Sequence, residues 1–243
     1  MIIDKINKTR HTLKEILKDD WDISSIVDLS NEELEVMYSS TFMNPKKING
    51  CNFSLKHNKL QSIKLHIIYY NFPEIGDIST KITKYSFNDI YEYLKNIFNS
   101  EDSVFIIINE KITETIGKNL EYLNIKIQSE YKSQEISENV LQDMQENNLF
   151  LEKKHFRMIH LFNINNLTNN LLNHRLVPLH IPIRNEKDKK EILEKCNCTI
   201  NQLPVILKND PIAKLIRLAV NDICEIKRTS MKSGDYLFYR VCK

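Results

Sequence analysis

Glycine is scarce in this chain, with only four among 243 residues, and this scarcity limits the kinds of binding site that the chain can form. They stand far apart, at Gly50, Gly76, Gly117 and Gly234. Phosphate-binding GxxxxGKS/T loops and dinucleotide-binding GxGxxG turns both need closely spaced glycines, which let backbone N–H groups approach phosphate. The GxSxG motif of many serine hydrolases is absent as well. The sequence therefore excludes these three kinds of site.

The rest of the composition is that of an ordinary globular protein, with 42% hydrophobic and 27% charged residues. Its apolar runs, such as residues 104–108, are far shorter than the roughly 20 residues that cross a bilayer, and its first residues lack a signal-peptide core. The five scattered cysteines fit reduced thiols. We therefore expect a cytosolic or nuclear protein without a membrane partner.

Charge divides the chain into two halves. Residues 1–150 contain 17 Lys and Arg against 23 Asp and Glu, a net charge of −6, whereas residues 151–243 contain 17 against 9, a net charge of +8. This asymmetry predicts two domains with those bounds. The basic second half fits a nucleic acid or an acidic protein surface as partner. An ordinary solvated surface is the alternative interpretation.

The first half alternates helix and strand signals. Helical spacing of apolar residues predicts helices over 6–17, 30–37, 86–98 and 113–120. Period-2 alternation and short apolar runs predict strands over 51–55, 63–69, 104–108 and 125–127. Ser30 with Glu33 forms a capping-box pattern, and Ser86 is expected to be the N-cap of the third helix. This order is typical of an α/β domain with a mixed sheet.

The second half predicts a small α+β module. Residues 132–170 are polar and Asn-rich, with weak helical spacing and one candidate strand over 156–162, and we place the domain boundary in this segment. Further along, a charged helix is predicted over 186–195. Asp210 followed by Pro211 is an N-cap before a first-turn proline, so a short helix should follow. The chain then forms a β-hairpin over 223–229 and 236–242, with Gly234 in its turn.

One pattern in the second half could carry metal chemistry. Asp210 precedes Glu225-Ile226-Lys227 on a predicted strand, and metal-dependent nucleases place carboxylates around Mg²⁺ with a lysine beside the attacking water. Glu225 and Lys227 also share one strand face as any surface pair would. A Mg²⁺-dependent nuclease and a simple surface pair both remain open from the residues alone.

Other candidate sites have weaker patterns. His174, His180, Cys196 and Cys198 offer zinc-ligand types, but their spacing fits no common zinc finger. No catalytic triad is identifiable from spacing. The residues by themselves indicate a two-module binding protein.

Four motifs then follow one another in the second half: His174-Arg175-Leu176-Val177-Pro178-Leu179-His180, Gln202-Leu203-Pro204-Val205-Ile206, Asp210-Pro211-Ile212-Ala213, and the set Arg228, Ser230, Gly234, Tyr236, Tyr239 and Arg240. In this order they resemble the C-terminal module of the fifth common subunit of eukaryotic RNA polymerases. The archaeal polymerase counterpart of that subunit is similar to this module alone. The element order of the first half is similar to the N-terminal jaw domain of the eukaryotic subunit.

The resemblance implies a non-catalytic subunit of a multisubunit DNA-directed RNA polymerase, with no catalytic residue, cofactor or metal of its own. The C-terminal module, with motif core 174–243, would dock on the largest subunit and contact other polymerase subunits. The residues that this implies for docking are His174, Leu176, Val177, Pro178, His180, Gln202, Leu203, Pro204, Asp210, Pro211, Arg228, Gly234, Tyr236, Tyr239 and Arg240.

The resemblance also implies a position for the jaw-like domain beside downstream duplex DNA. It implies Lys111, Thr113 and Lys118 as the DNA-proximal residues, and the two lysines would touch phosphate without reading sequence. The location would be the nucleus for a cellular protein, and the host cytoplasm, nucleus or virion for one from a large DNA virus. A nuclease and a free-standing protein-binding adaptor are the alternatives.

Overall fold

A computed structural model describes residues 2–39, 50–72, 81–230 and 234–243. Within these ranges the chain forms seven α-helices and two four-stranded mixed sheets, so the predicted α+β class is confirmed. No helix in these ranges has the length and apolar character needed to span a membrane.

Contacts between residues divide the chain into two units. The first consists of Met1–Asn147 with Phe156–Asn170, and the second of Asn148–His155 with Leu171–Lys243. The division into domains at residue 150 stays a prediction.

The first unit has five helices: α1 (Ile2–Leu17), α2 (Asn31–Ser39), α3 (Lys84–Ile97), α4 (Glu114–Lys132) and α5 (Glu138–Glu146). Its strands are β1 (Phe53–Lys56), β2 (Lys64–Tyr70), β3 (Ser103–Ile108) and β4 (Ile159–Asn163), in the spatial order β1-β2-β3-β4. β1 runs antiparallel to β2, and the other neighbours are parallel. The predicted mixed sheet is therefore confirmed.

One face of this sheet carries the core of the first unit. Ile68, Val104 and Ile106 point from β2 and β3 to the same side. Leu94 of α3 and Leu120 of α4 pack against them. Every residue of β3 is buried, which is typical of a central parallel strand.

Two details of the first unit correct the predictions. The strand predicted over 125–127 is wrong, because these residues lie inside α4, whose buried stripe includes Leu120, Leu123 and Ile127 at helical spacing. Ile125 is 61% exposed on the other side of the same helix, so the apparent alternation was one exposed and one buried helical residue. The N-cap of α3 is Thr83, and Ser86 completes its capping box from the third helical position.

The second unit contains β5 (Leu179–Ile183), α6 (Glu186–Lys195), β6 (Val205–Ile206), α7 (Pro211–Leu215), β7 (Ile223–Ser230) and β8 (Gly234–Cys242). The strands lie in the order β5-β7-β8-β6. β5 and β8 run antiparallel to β7, and β6 runs parallel to β8. The predicted hairpin is confirmed, and residues 231–233 of its turn lie outside the described residues.

The second sheet is covered on both faces at one end. On one face, Ala213 and Leu218, in and after α7, pack on Cys224 and Cys242. On the other face, Ile192 of α6 and Leu203 pack on Ile223 and Val241. At the opposite end, near the turn, residues 227–229 and 234–237 of the hairpin are exposed.

Candidate docking surface

Pairing in the hairpin gathers cationic and aromatic side chains on one face of the second sheet. Ile226 lies opposite Phe238, and Arg228 lies opposite Tyr236. Directly paired residues share a face, as do residues two apart on one strand. Arg228, Tyr236, Phe238 and Arg240 therefore form one surface, which we call the arginine–aromatic patch.

Phe238 is the centre of the patch. The guanidinium carbon of Arg228 lies 5.7 Å from its ring centroid, and that of Arg240 lies 5.4 Å away. Both distances fall within the range of a cation–π contact. These contacts hold the two guanidinium groups on one surface, where each can form paired hydrogen bonds with a carboxylate.

Arg240 has an unsatisfied donor. Its Nε is buried and has no hydrogen-bond partner within the described ranges. Buried donors are nearly always paired in folded proteins. Within the described ranges, Arg240 Nε is an exception to this rule.

The strand β5 reaches the same face. His180 on β5 is paired with Ile226 on β7, and Ile226 is paired with Phe238 on β8. The side chain of His180 therefore lies on the same face of the sheet as the arginine–aromatic patch. Its Nδ1–H donates to the Pro178 carbonyl at 2.6 Å. Upstream, the His174 carbonyl accepts from Val177 N at 2.8 Å, which closes a turn.

Tyr239 lies on the opposite face from Arg240. Its hydroxyl donates to Glu225 at 3.2 Å, and burial together with this carboxylate raises the pKa of Tyr239. The adjoining row on this face is Leu179, Lys227 and Leu237. Leu179 is 59% exposed and Leu237 52% exposed. The predicted docking residues are thus divided between both faces of the sheet.

Other predicted docking residues are used inside the second unit. Gln202 accepts from Thr199 N at 2.7 Å in a capping box. Leu203 is buried in the core. The Pro204 carbonyl accepts from Val241 N at 2.9 Å and so continues the pairing of β6 with β8.

The start of α7 is fixed by the next motif. Asp210 is its N-cap, with Oδ1 accepting from Ile212 N at 2.8 Å, and Pro211 occupies the first turn. The hydrogen bond and the preset φ of proline both favour the helix. The predicted cap is confirmed.

The hairpin turn needs its glycine for backbone conformation. Gly234 has φ +67°, in the left-handed region, and pairs with Ser230. Among the described residues, no heavy atom lies within 4 Å of the position that a Cβ would occupy. The requirement is therefore conformational rather than steric.

The part of the chain that forms this surface is similar to known proteins. The model of the family "RNA polymerase Rpb5, C-terminal domain" matches residues 169–242. The DNA-directed RNA polymerase subunit Rpo5 of Pyrococcus horikoshii is 46% identical over 72 residues, which are 30% of this chain and 87% of that subunit. The chain belongs to the Rpb5 family.

Two further relatives extend the comparison. Subunit Rpo5 of Methanosphaera stadtmanae is 38% identical over 73 residues, 30% of this chain and 94% of that subunit. Subunit rpabc1 of the RNA polymerases I, II and III of Dictyostelium discoideum is 38% identical over 81 residues, 33% of this chain and 41% of that protein. The resemblance drawn from the four motifs is confirmed.

The second unit of this Rpb5-type chain contains a buried ionic cluster that the sequence pattern did not indicate. The carboxylate of Asp222 is fully buried and accepts from His155 Nε2–H at 3.0 and 3.1 Å. Lys154 Nζ lies 3.2 Å away and Lys189 Nζ 3.6 Å away. Because His155 and Asp222 are 67 positions apart, no local spacing could have predicted the pair.

Hydrogen bonds fix the protonation states in this cluster. His155 Nδ1 accepts from Glu152 N at 2.8 Å, so the imidazole is the neutral Nε2–H tautomer. Burial lowers the pKa of His155 and outweighs the effect of Asp222. Burial alone would raise the pKa of Asp222, but His155, Ala219 N and Lys154 lower it to about 2.

The carboxylates of the nuclease hypothesis have other partners in the Rpb5-type fold. Asp210 caps α7, and Glu225 accepts from Tyr239. Within the described ranges, no group of three His, Cys, Asp or Glu side chains is arranged to hold a metal ion. No observation on these residues favours the nuclease alternative.

The residues predicted to approach DNA lie at the start of α4 in the first unit. Thr113 is the N-cap, and its Oγ1 accepts from Ile116 N at 3.4 Å. Lys111 is exposed. Lys118 is also exposed and forms an ion pair with Glu114 at 2.6 Å. This helix end therefore displays two lysines, one of them partly neutralised.

Proposed function

We propose that this protein is a subunit of a multisubunit DNA-directed RNA polymerase and supports transcription without supplying groups for RNA synthesis. The observation that carries the proposal is the 46% identity to subunit Rpo5 of Pyrococcus horikoshii across 87% of that subunit. The phosphoryl-transfer chemistry and its Mg²⁺ would belong to other chains. The nucleus is the expected location in a eukaryotic cell, and a viral protein would lie in the host cytoplasm, nucleus or virion.

The second unit is the proposed docking module for the largest polymerase subunit, alongside other subunits. Arg228 and Arg240 present guanidinium groups from the arginine–aromatic patch. Tyr236 is 40% exposed and adds apolar area with a hydroxyl group. Aromatic and arginine side chains of this kind concentrate binding energy at protein interfaces.

A variant pair tests the docking proposal. Replacing Arg228 and Arg240 together with alanine should reduce binding to the largest subunit by about 30-fold, since interface hot spots contribute about 2 kcal/mol or more. Lys187→Ala, an exposed change on α6, is the matched control and should bind normally. Equal recovery of both variants with the largest subunit would contradict docking through the patch.

The first unit is proposed to lie beside downstream duplex DNA, with Lys111, Thr113 and Lys118 nearest to it. The exposed position of both lysines supports contact with phosphates. The net charge of −6 over residues 1–150 limits the strength of such contact. The expected contribution of these residues to DNA binding is weak, sensitive to salt and independent of DNA sequence.

A further inference from the structure

The first unit brings together three side chains that the sequence separates. Ser54 on β1 lies directly opposite His66 on β2, and its Oγ is 2.8 Å from His66 Nδ1. His66 Nε2 lies 3.1 Å from Asp102 Oδ2. Both distances are typical of hydrogen bonds. In enzymes, such bonds link a nucleophile to its general base and link that base to the group that orients it.

The hydrogen-bond donors can be assigned from these contacts. The buried carboxylate of Asp102 accepts from the backbone N–H groups of Lys64 at 2.8 Å and Asn99 at 3.0 Å, which fixes its position. It therefore takes the Nε2–H of His66 as a third donor. Nδ1 is then the free acceptor on the ring, and the hydroxyl of Ser54 donates to it. This is the arrangement of a serine beside a general base.

A cavity lies beside the serine. It has a volume of about 210 Å³, and its lining includes Ser54, His66, Asn52 and the apolar side chains of Ile68 and Tyr93. Drug-sized ligands occupy pockets of about 300–1,000 Å³, so this cavity suits a smaller group. Ser54 is exposed, while His66 is 8% exposed and Asp102 is fully buried. The nucleophile is thus reachable, and the base is largely buried beside it.

We propose that Ser54 is the nucleophile of an acyl-transfer site for small esters, with His66 as general base and Asp102 as positioning residue. Ser54 Oγ forms a bond to the acyl carbon while its proton passes to His66 Nδ1. The bond from the acyl carbon to the leaving oxygen breaks, and that oxygen takes the proton from His66 and departs as an alcohol. Water repeats the sequence on the resulting ester and releases a carboxylic acid.

This site is separate from the proposed role in the polymerase. All three residues lie in the first unit, whereas the arginine–aromatic patch lies in the second. Loss of the acyl-transfer site should leave binding to the largest subunit unchanged. Failure of either proposal can therefore be recognised without the other.

Covalent labelling of the full chain tests the proposal. A fluorophosphonate probe should form a bond to Ser54 Oγ with loss of fluoride, and peptide mass spectrometry should place the adduct there. Labelling should be about 100-fold faster than at the exposed Ser129, which has a backbone carbonyl rather than a histidine as partner. Ser54→Ala should abolish the adduct, and Ser129→Ala should keep it. A faster adduct elsewhere, or equal rates at Ser54 and Ser129, would overturn the assignment.

Two further variants separate catalysis from structural support. His66→Phe should slow labelling of Ser54 by about 100-fold while circular dichroism shows a folded chain. Asp102→Asn should lower kcat for p-nitrophenyl acetate with KM unchanged, because Asp102 acts through His66 and does not touch the ester. Unaltered labelling in His66→Phe, or a change confined to KM in Asp102→Asn, would mean that the three residues only support the strands.

Discussion

Asp222 shows how a single buried charge can join distant parts of one unit. Its carboxylate is fully buried, yet it is surrounded by His155, Lys154 and the N–H of Ala219. Charges are tolerated in protein interiors when they are paired and hydrogen-bonded in this way. The cluster holds the segment Asn148–His155 to the remainder of the second unit, so its protonation should affect stability.

Acidification should destabilise the second unit. The pKa of His155 is lowered from 6.5, so the fold favours the neutral imidazole. This stabilisation is fully present above about pH 6.5, and it is lost as the pH falls from there through the lower pKa that His155 has in the folded state. The pKa of Asp222 is lowered from 3.8 to about 2, so its contribution is present above about pH 3.8 and declines toward pH 2. Both effects have the same sign.

Thermal unfolding of the full chain over a pH series measures this dependence. His155→Gln keeps a donor for Asp222 but removes the titrating ring, so it should flatten the decline in stability just below pH 6.5. Lys187→Ala, an exposed change on α6 of the same unit, should leave the decline unchanged. A decline that is identical in the wild type and in His155→Gln would contradict the assigned cause.

Among elements, the hairpin of β7 and β8 offers the clearest test of a local requirement. Gly234→Ala places a side chain in the left-handed region, although no atom of the described residues obstructs the new Cβ. The expected cost is about 1 kcal/mol in the free energy of unfolding, measured by hydrogen exchange of the β8 amides. Gly234→Asn should recover part of this loss, because asparagine tolerates that conformation. A loss above about 3 kcal/mol for Gly234→Ala would indicate a steric clash instead.

Elements defined by local signals were predictable from the sequence. The Asp210-Pro211 start of α7 and the alternation of the hairpin both follow from neighbouring residues. The strand predicted over 125–127 failed because two residues cannot distinguish alternation from one exposed and one buried position on a helix. The faces on which Tyr239 and Arg240 lie were predictable in principle from strand alternation.

Contacts over long separations were not predictable. Ser54, His66 and Asp102 meet because β1 pairs with β2 in one register and Asp102 immediately precedes β3. His155 and Asp222 meet across 67 positions. Neither constellation has a spacing that a single sequence could reveal, since each depends on how the strands and loops are assembled.

At the scale of the whole molecule, the opposite charges of the two halves should separate two kinds of binding. Replacing Lys111 and Lys118 with alanine should leave assembly with the polymerase intact and weaken salt-sensitive DNA binding. The salt slope should fall by about 0.9 for each phosphate that a lysine no longer neutralises. Glu114→Gln frees Lys118 from its ion pair and should strengthen DNA binding. Titration of assembled polymerase with duplex DNA at several salt concentrations measures both effects. Equal DNA affinity in all variants would contradict binding through the start of α4.

Co-purification shows whether this protein is a subunit of an RNA polymerase. The tagged chain would be recovered from its native source in about 0.5 M salt, which screens purely electrostatic partners, and the bound proteins quantified by mass spectrometry. We predict the two largest RNA polymerase subunits in equimolar amounts with this chain. Recovery of the chain alone, or with proteins unrelated to a polymerase, would contradict membership and favour the free-standing adaptor.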